Sequence, residues 1–188
     1  MGSFLEDLFW SLAEISELLG ILITWLFVFT FLYNLSAAIN KSDNSRTQLS
    51  FIMMVSYTLS LYINIYTPLR YLQLFAFDVV TIAVIFIWRL CLGKFIPVSF
   101  YYLIVGLCIN ASLFMAMHID SIINPNCGYW WLWMVYGIST LIVDFIMALV
   151  LIINKDILGL VKLKKRSDKR NCYKSQAQKF HNVESRNF

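Results

Sequence analysis

The chain has 188 residues, of which 60% are apolar and 14% charged, against roughly 25% charged residues in an average chain. Its 15 basic and 11 acidic side chains are unevenly placed: residues 1–154 carry a net −3 and residues 155–188 a net +7. This distribution excludes a soluble enzyme, a disordered protein and a general nucleic-acid-binding domain, and leaves a polytopic membrane protein with a basic tail.

Residues 3–19 come first. They carry Glu6, Asp7, Glu14 and Glu17, no basic residue and no small-residue cleavage site, so they are not a secretory signal. Ser3 and Glu6 match a capping box, and Phe4, Leu5, Leu8, Phe9, Leu12, Ile15 and Leu19 fall on one half of a helical wheel. The expectation is an amphipathic, acidic helix. Anionic lipid prefers Lys and Arg on the polar face. The segment therefore either lies at the outer interface or extends the first span, or it packs inside an oligomer as a gate or plug.

Five stretches then have the ~20 apolar residues needed to cross a hydrocarbon core of about 30 Å: Gly20–Ile39, Gln48–Tyr66, Tyr71–Leu92, Pro97–Met117 and Tyr129–Ile153. Pro68, Pro97 and Pro125 all fall at boundaries, where a missing N–H costs least. Lipid offers no partner to backbone polar groups, so all five are expected to be helices. The fold class is thus an all-α integral membrane protein: an amphipathic helix at 3–19, a five-helix transmembrane domain at 20–154 and a basic cytoplasmic tail at 155–188. Lys41 and Arg46 in the first connection, Arg89 and Lys94 around the third, and ten basic residues in the tail place those segments in the cytoplasm, with the N-terminus outside. Arg70 alone opposes this orientation. Tyr129, Trp130, Trp131, Trp133 and Trp88 suit headgroup depth, and Arg89 is near enough to a helix end to snorkel.

Two acids stand near mid-depth, Asp78 in the third span and Asp144 in the fifth. A charge there costs at least ~2.5 kcal/mol, so such residues face protein or water. Small or polar residues recur at helical spacing beside them: Gly137, Thr140, Asp144 and Ala148; Ser56, Ser60, Asn64 and Thr67; Ser99, Tyr102, Gly106 and Asn110; Thr30 and Asn34; Asp78 and Thr81. Such stripes commonly join helices. If copies assemble around an axis, one Asp per chain becomes a ring of carboxylates on a cation path, with Asn64, Asn110 and Thr140 beside it. Alternatively the two acids are buried neutral and relay protons.

The chemistry of enzymes is absent from the sequence. There is no H-E-x-x-H, P-loop or Gly-rich dinucleotide fingerprint, and no cofactor or metal is expected. His118 and His181 are far apart, and Cys91, Cys108, Cys127 and Cys172 lack C-x-x-C spacing. Phe77-Asp78-Val79 and Val143-Asp144-Phe145 do not have the context of intramembrane aspartyl proteases. In the tail, Lys162, Lys164, Lys165, Arg166, Lys169 and Arg170 form a juxtamembrane cluster suited to anionic lipid, at about 1 kcal/mol per residue. Tyr173, Phe180 and His181 interleave with Lys174 and Lys179, a pattern that also suits a nucleotide or oligonucleotide, although no duplex.

Taken together, the acidic helix Ser3–Leu19, the membrane acids Asp78 and Asp144 and the basic run Lys162–Arg170 give a layout that resembles small multi-pass pore-forming effectors of bacterial antiviral defence, of the Hailong channel-effector type. The resemblance implies a homo-oligomer in the bacterial inner membrane, a plug at residues 3–19 and opening by a cytoplasmic nucleotide signal. The expected function is an oligomeric, cation-preferring channel or pore. The alternatives are a non-conducting membrane adaptor that binds protein partners and a small proton-coupled transporter.

Overall fold

The computed structural model describes residues 2–39, 44–63, 67, 69–92, 97–123, 131–154 and 159, with backbone alone for 2–17, 92 and 123. Among these, five α-helices follow in chain order: α1 (Gly2–Ala38), α2 (Ser45–Ser60), α3 (Arg70–Leu92), α4 (Val98–His118) and α5 (Trp131–Ile153). A short π-helical segment, Ile119–Ile123, continues α4. The chain divides into two units, residues 1–154 and 155–188. Of the second, Gly159 alone is described.

Among the described residues, four rather than five helices are long and apolar enough to cross a membrane: Leu18–Ala38 within α1, Arg70–Cys91, Val98–Ile122 and Trp131–Ile153. The expected second span, Gln48–Tyr66, is the one that differs. Its helix ends at Ser60 after 16 residues, about 24 Å at about 1.5 Å per residue, short of the hydrocarbon thickness. Beyond it Tyr62 N and Ile63 N reach back only three residues, to Leu59 O and Ser60 O.

α1 runs 37 residues without a break across Leu19–Gly20, so the acidic segment extends the helix of the first span, one of the arrangements expected for it. α5 ends at Asn154, whose φ of +51° is left-handed and whose N–H still bonds Val150 O at 2.9 Å. Asn tolerates this conformation better than most side chains and so makes an effective stop.

The helices close into a ring in chain order. Each packs on its sequence neighbour, α5 returns to α1, and α2 touches α5 across the middle. Helices consecutive in the chain run antiparallel, as three pairs of ends show, so α5 lies parallel to α1 where the ring closes. Thr47 at the start of α2 donates to Asn34 O at the end of α1. Trp88 near the end of α3 donates to Gln48 of α2 at 2.9 Å. The Arg89 guanidinium lies 5.3 Å from the centroid of Phe100 at the start of α4, a cation–π contact where the sequence suggested snorkelling. The outer faces are apolar and exposed, including Phe29, Val80, Leu90, Ile138 and Phe145, as lipid contact requires.

At one point α4 and α5 approach unusually closely. A Cβ built on Gly106 would overlap the Sδ and Cγ of Met147 and stand 3.2 Å from Val143 Cγ1. Glycine is needed there for space, since small residues let membrane helices come together.

Candidate functional site

The ring interior is polar at one level, and that level is built by four helices. Asp144 on α5 sits one turn before the fully buried Met147 and Ala148, so it is turned inward with them. Its Oδ1 accepts two hydrogen bonds. Tyr57 Oη of α2 donates at 2.5 Å, and Asn110 Nδ2 of α4 donates at 2.6 Å. The Tyr57 ring is fixed from the far side by Phe27 of α1, with centroids 4.3 Å apart. Asn110 is 2% exposed; it lies one turn beyond Gly106 and Leu107, on the face that Gly106 brings against α5.

Asp78 enters from α3. It is 9% exposed, and its Oδ2 is buried without a hydrogen-bond partner. One turn along the same helix, the Thr81 hydroxyl donates to Phe77 O at 2.8 Å. The Ser56 hydroxyl of α2 lies 2.6 Å from it and therefore acts as donor to Thr81. Asp78 and Asp144 lie within Coulombic range of each other, and Tyr57 lies within range of both. The described basic residues Arg46, Arg70 and Arg89 stand near helix ends. Arg70 is eight residues from Asp78 and Arg89 eleven, about 12 and 16 Å along the helix. Two carboxyl groups thus share one interior with no cation at their level among the described residues. At mid-bilayer depth a charge on either would cost at least about 2.5 kcal/mol.

This polar level lies between two layers of different character. Toward the α1–α2 connection, one turn away, Met53, Leu107 and Met147 are fully buried, followed by Leu49, Leu103 and Leu151. Toward the opposite end there is an aromatic layer. Tyr71 meets Tyr136 and Trp133 edge-on at centroid distances of 5.8 and 6.4 Å, and Phe114 meets Tyr136 at 5.8 Å. Trp133 Nε1 also donates to Asp120 Oδ2 at 3.3 Å. Trp133 therefore does more than anchor the chain at headgroup depth; its neighbour Trp131 is 63% exposed.

Of the residues the sequence singled out for an ion path, Asp78, Asp144 and Asn110 come together at this level. Thr140 lies one turn before Asp144, and its hydroxyl is taken up by its own helix, at Tyr136 O and Gly137 O. Gly137 faces outward, with open space around it. Asn64 lies outside the described residues, as do Lys162, Lys164, Lys165, Arg166, Lys169, Arg170, Cys127 and Cys172. For Glu6, Asp7, Glu14 and Glu17 the helix is described but the side chains are not. Cys91 and Cys108 are exposed free thiols. Among the described residues no group of three His, Cys, Asp or Glu side chains is placed to hold a metal.

Sequence reasoning did not pick out Tyr57, Asp120 or the Met53–Leu107–Met147 layer. Tyr57 follows Ser56 of the polar stripe by one position, and an aromatic hydroxyl beside such a stripe was the available signal. The chain as a whole shows a multi-pass helical membrane layout, and no protein-family model, curated protein or solved structure matches it.

Proposed function

We propose that this protein carries cations across a lipid bilayer, along a gated path inside its own ring of five helices that passes Asp78 and Asp144. One observation carries the reading. Asp78 is buried on α3, and the half-buried Asp144 of α5 is held by Tyr57 of α2 and Asn110 of α4; the two acids lie within Coulombic range of each other, and the described basic side chains stand at helix ends. Intramembrane acids in this situation mark ion and proton pathways. Negative charge in the interior draws in cations and repels anions.

The neighbouring layers supply the other parts of such a path. Met53, Leu107 and Met147 close the interior one turn from the acids, and an apolar constriction of this kind gates by excluding water. The aromatic layer around Tyr71 and Tyr136 covers the other side. Opening requires α4 and α5 to separate from α2 at the apolar layer. Tyr57 and Asn110, both bonded to Asp144, tie those three helices together in the closed arrangement. This reading puts the path within one chain instead of on an axis between copies.

The test is cation flux into proteoliposomes holding the full chain, against empty vesicles, with sodium, potassium and chloride compared. We expect cation flux that falls in both Asp78→Asn and Asp144→Asn. Chloride flux equal to cation flux, or cation flux unchanged in both variants, rejects the proposal.

A further inference from the structure

The polar level contains buried oxygens that its own hydrogen-bond donors do not serve. Asp78 Oδ2 and Asn110 Oδ1 are both buried and without partners. Among the described residues the donors nearby are committed elsewhere: Tyr57 Oη and Asn110 Nδ2 to Asp144, Ser56 to Thr81, and Thr81 to Phe77 O. A buried acceptor left unmet costs about 1–3 kcal/mol, more when charged. Asn110 is bonded to Asp144 through its Nδ2, and Asp78 lies within Coulombic range of Asp144.

We infer that Asp78, Asp144 and Asn110 form a binding site for one small monovalent cation of the sodium kind, ligated by carboxylate and amide oxygens alone. The inference rests on the cation-path reading and adds the ligand to it. Three arguments fix the chemistry. An all-oxygen donor set without His or Cys selects hard cations over transition metals. Asp144 already has two hydrogen-bond donors on Oδ1, so the charge left uncompensated is essentially that of Asp78, a single unit. A divalent ion is poorly suited: calcium takes about six to eight oxygens and magnesium keeps several waters in a near-octahedral shell, whereas this level offers few oxygens and is bounded by Met53, Leu107 and Met147. Tyr57 acts as a positioning residue, since its hydroxyl and the Asn110 amide together hold Asp144 in place.

The probe is radiolabelled sodium, with equilibrium binding to the full chain in nanodiscs at constant ionic strength maintained by a large organic cation. The folded wild-type chain should bind sodium saturably at one per chain. Asp78→Asn and Asn110→Leu should each weaken binding by about tenfold or more, corresponding to about 1.4 kcal/mol. Tyr57→Phe should weaken it less, and Asn110→Asp should retain it. Absence of saturable sodium binding in the folded wild-type chain overturns the site and needs no variant. So does unchanged affinity in folded Asp78→Asn, or calcium displacing sodium at equal concentration. Flux in proteoliposomes separates this inference from the reading beneath it. Saturable binding without flux defeats the transport reading and leaves the site standing, whereas flux without saturable binding overturns the site alone.

Discussion

Tyr57→Phe removes one oxygen from the centre of the ring and leaves the rest in place. The phenyl ring stays against Phe27, with centroids 4.3 Å apart, and Asn110 still donates to Asp144 Oδ1 at 2.6 Å. What disappears is one short hydrogen bond to a carboxyl oxygen. In soluble proteins, bonds to charged groups contribute about 1.5–3 kcal/mol. Between membrane helices the average is about 0.6 kcal/mol and the maximum about 1.7. The acidic acceptor puts this bond toward the membrane maximum, so the substitution should cost about 1.5 kcal/mol. On an Asp144→Asn background the same substitution removes a bond to a neutral amide oxygen, roughly half as strong, and should cost about 0.7 kcal/mol. The cycle, read from reversible unfolding in mixed micelles by loss of helical circular dichroism, should therefore show a coupling of about 0.8 kcal/mol. Equal losses on the two backgrounds, or none in the wild-type chain, would refute the pairing of Tyr57 with a charged Asp144.

Three further outcomes follow from the same packing. Gly106→Val places carbon where Met147 Sδ already lies and should destabilise the chain by about 1–3 kcal/mol; Met147→Ala in the same chain should recover part of that loss, and additive losses would show that the two sites do not touch. Leu107→Ser puts a hydroxyl into the apolar layer and should raise basal cation flux by roughly tenfold as that layer wets, so unchanged flux in a folded variant would remove the layer from the gate. Asp78→Leu should unfold at higher denaturant than the wild-type chain while losing flux, and a less stable variant would show that Asp78 is a net structural asset.

The sequence made the faces of the helices legible more readily than their partners. Thr30, Asn34, Asp78, Thr81, Ser99, Tyr102 and Asn110 were expected on polar or small stripes, and all are buried. Period and residue size decide this, and both are local properties. Gly137 belonged to the same expected stripe yet faces outward, because α5 meets α4 further along, where Gly106 admits Met147. That close approach depends on two helices at once and leaves no periodic trace. The bond from Tyr57 to Asp144 joins residues 87 positions apart, a pairing no periodicity encodes. The short α2 illustrates a third limit. Apolar content continues to Tyr66, whereas the helix ends at Ser60 and the backbone bonds beyond it reach back only three residues, a change that hydropathy does not register.

The cost of the two acids distinguishes a path from a scaffold. Ser56 with Thr81 already joins α2 to α3, and Gly106 with Met147 already seats α4 on α5. Both are neutral arrangements that work in a dry interior. A ring that only held its helices together, or displayed a surface to partners, would gain stability from apolar residues in place of the acids, since removing a buried charge without a countercharge is often neutral or favourable. The gain should not be equal at the two positions. Replacing Asp144 with Leu strands the Tyr57 hydroxyl and the Asn110 amide, so the desolvation relieved there is spent on two orphaned donors. Replacing Asp78 strands no donor at its Oδ2, which is buried without one. Asp78 is therefore the residue whose presence packing explains least, and a group kept at a cost in stability is where function is to be sought.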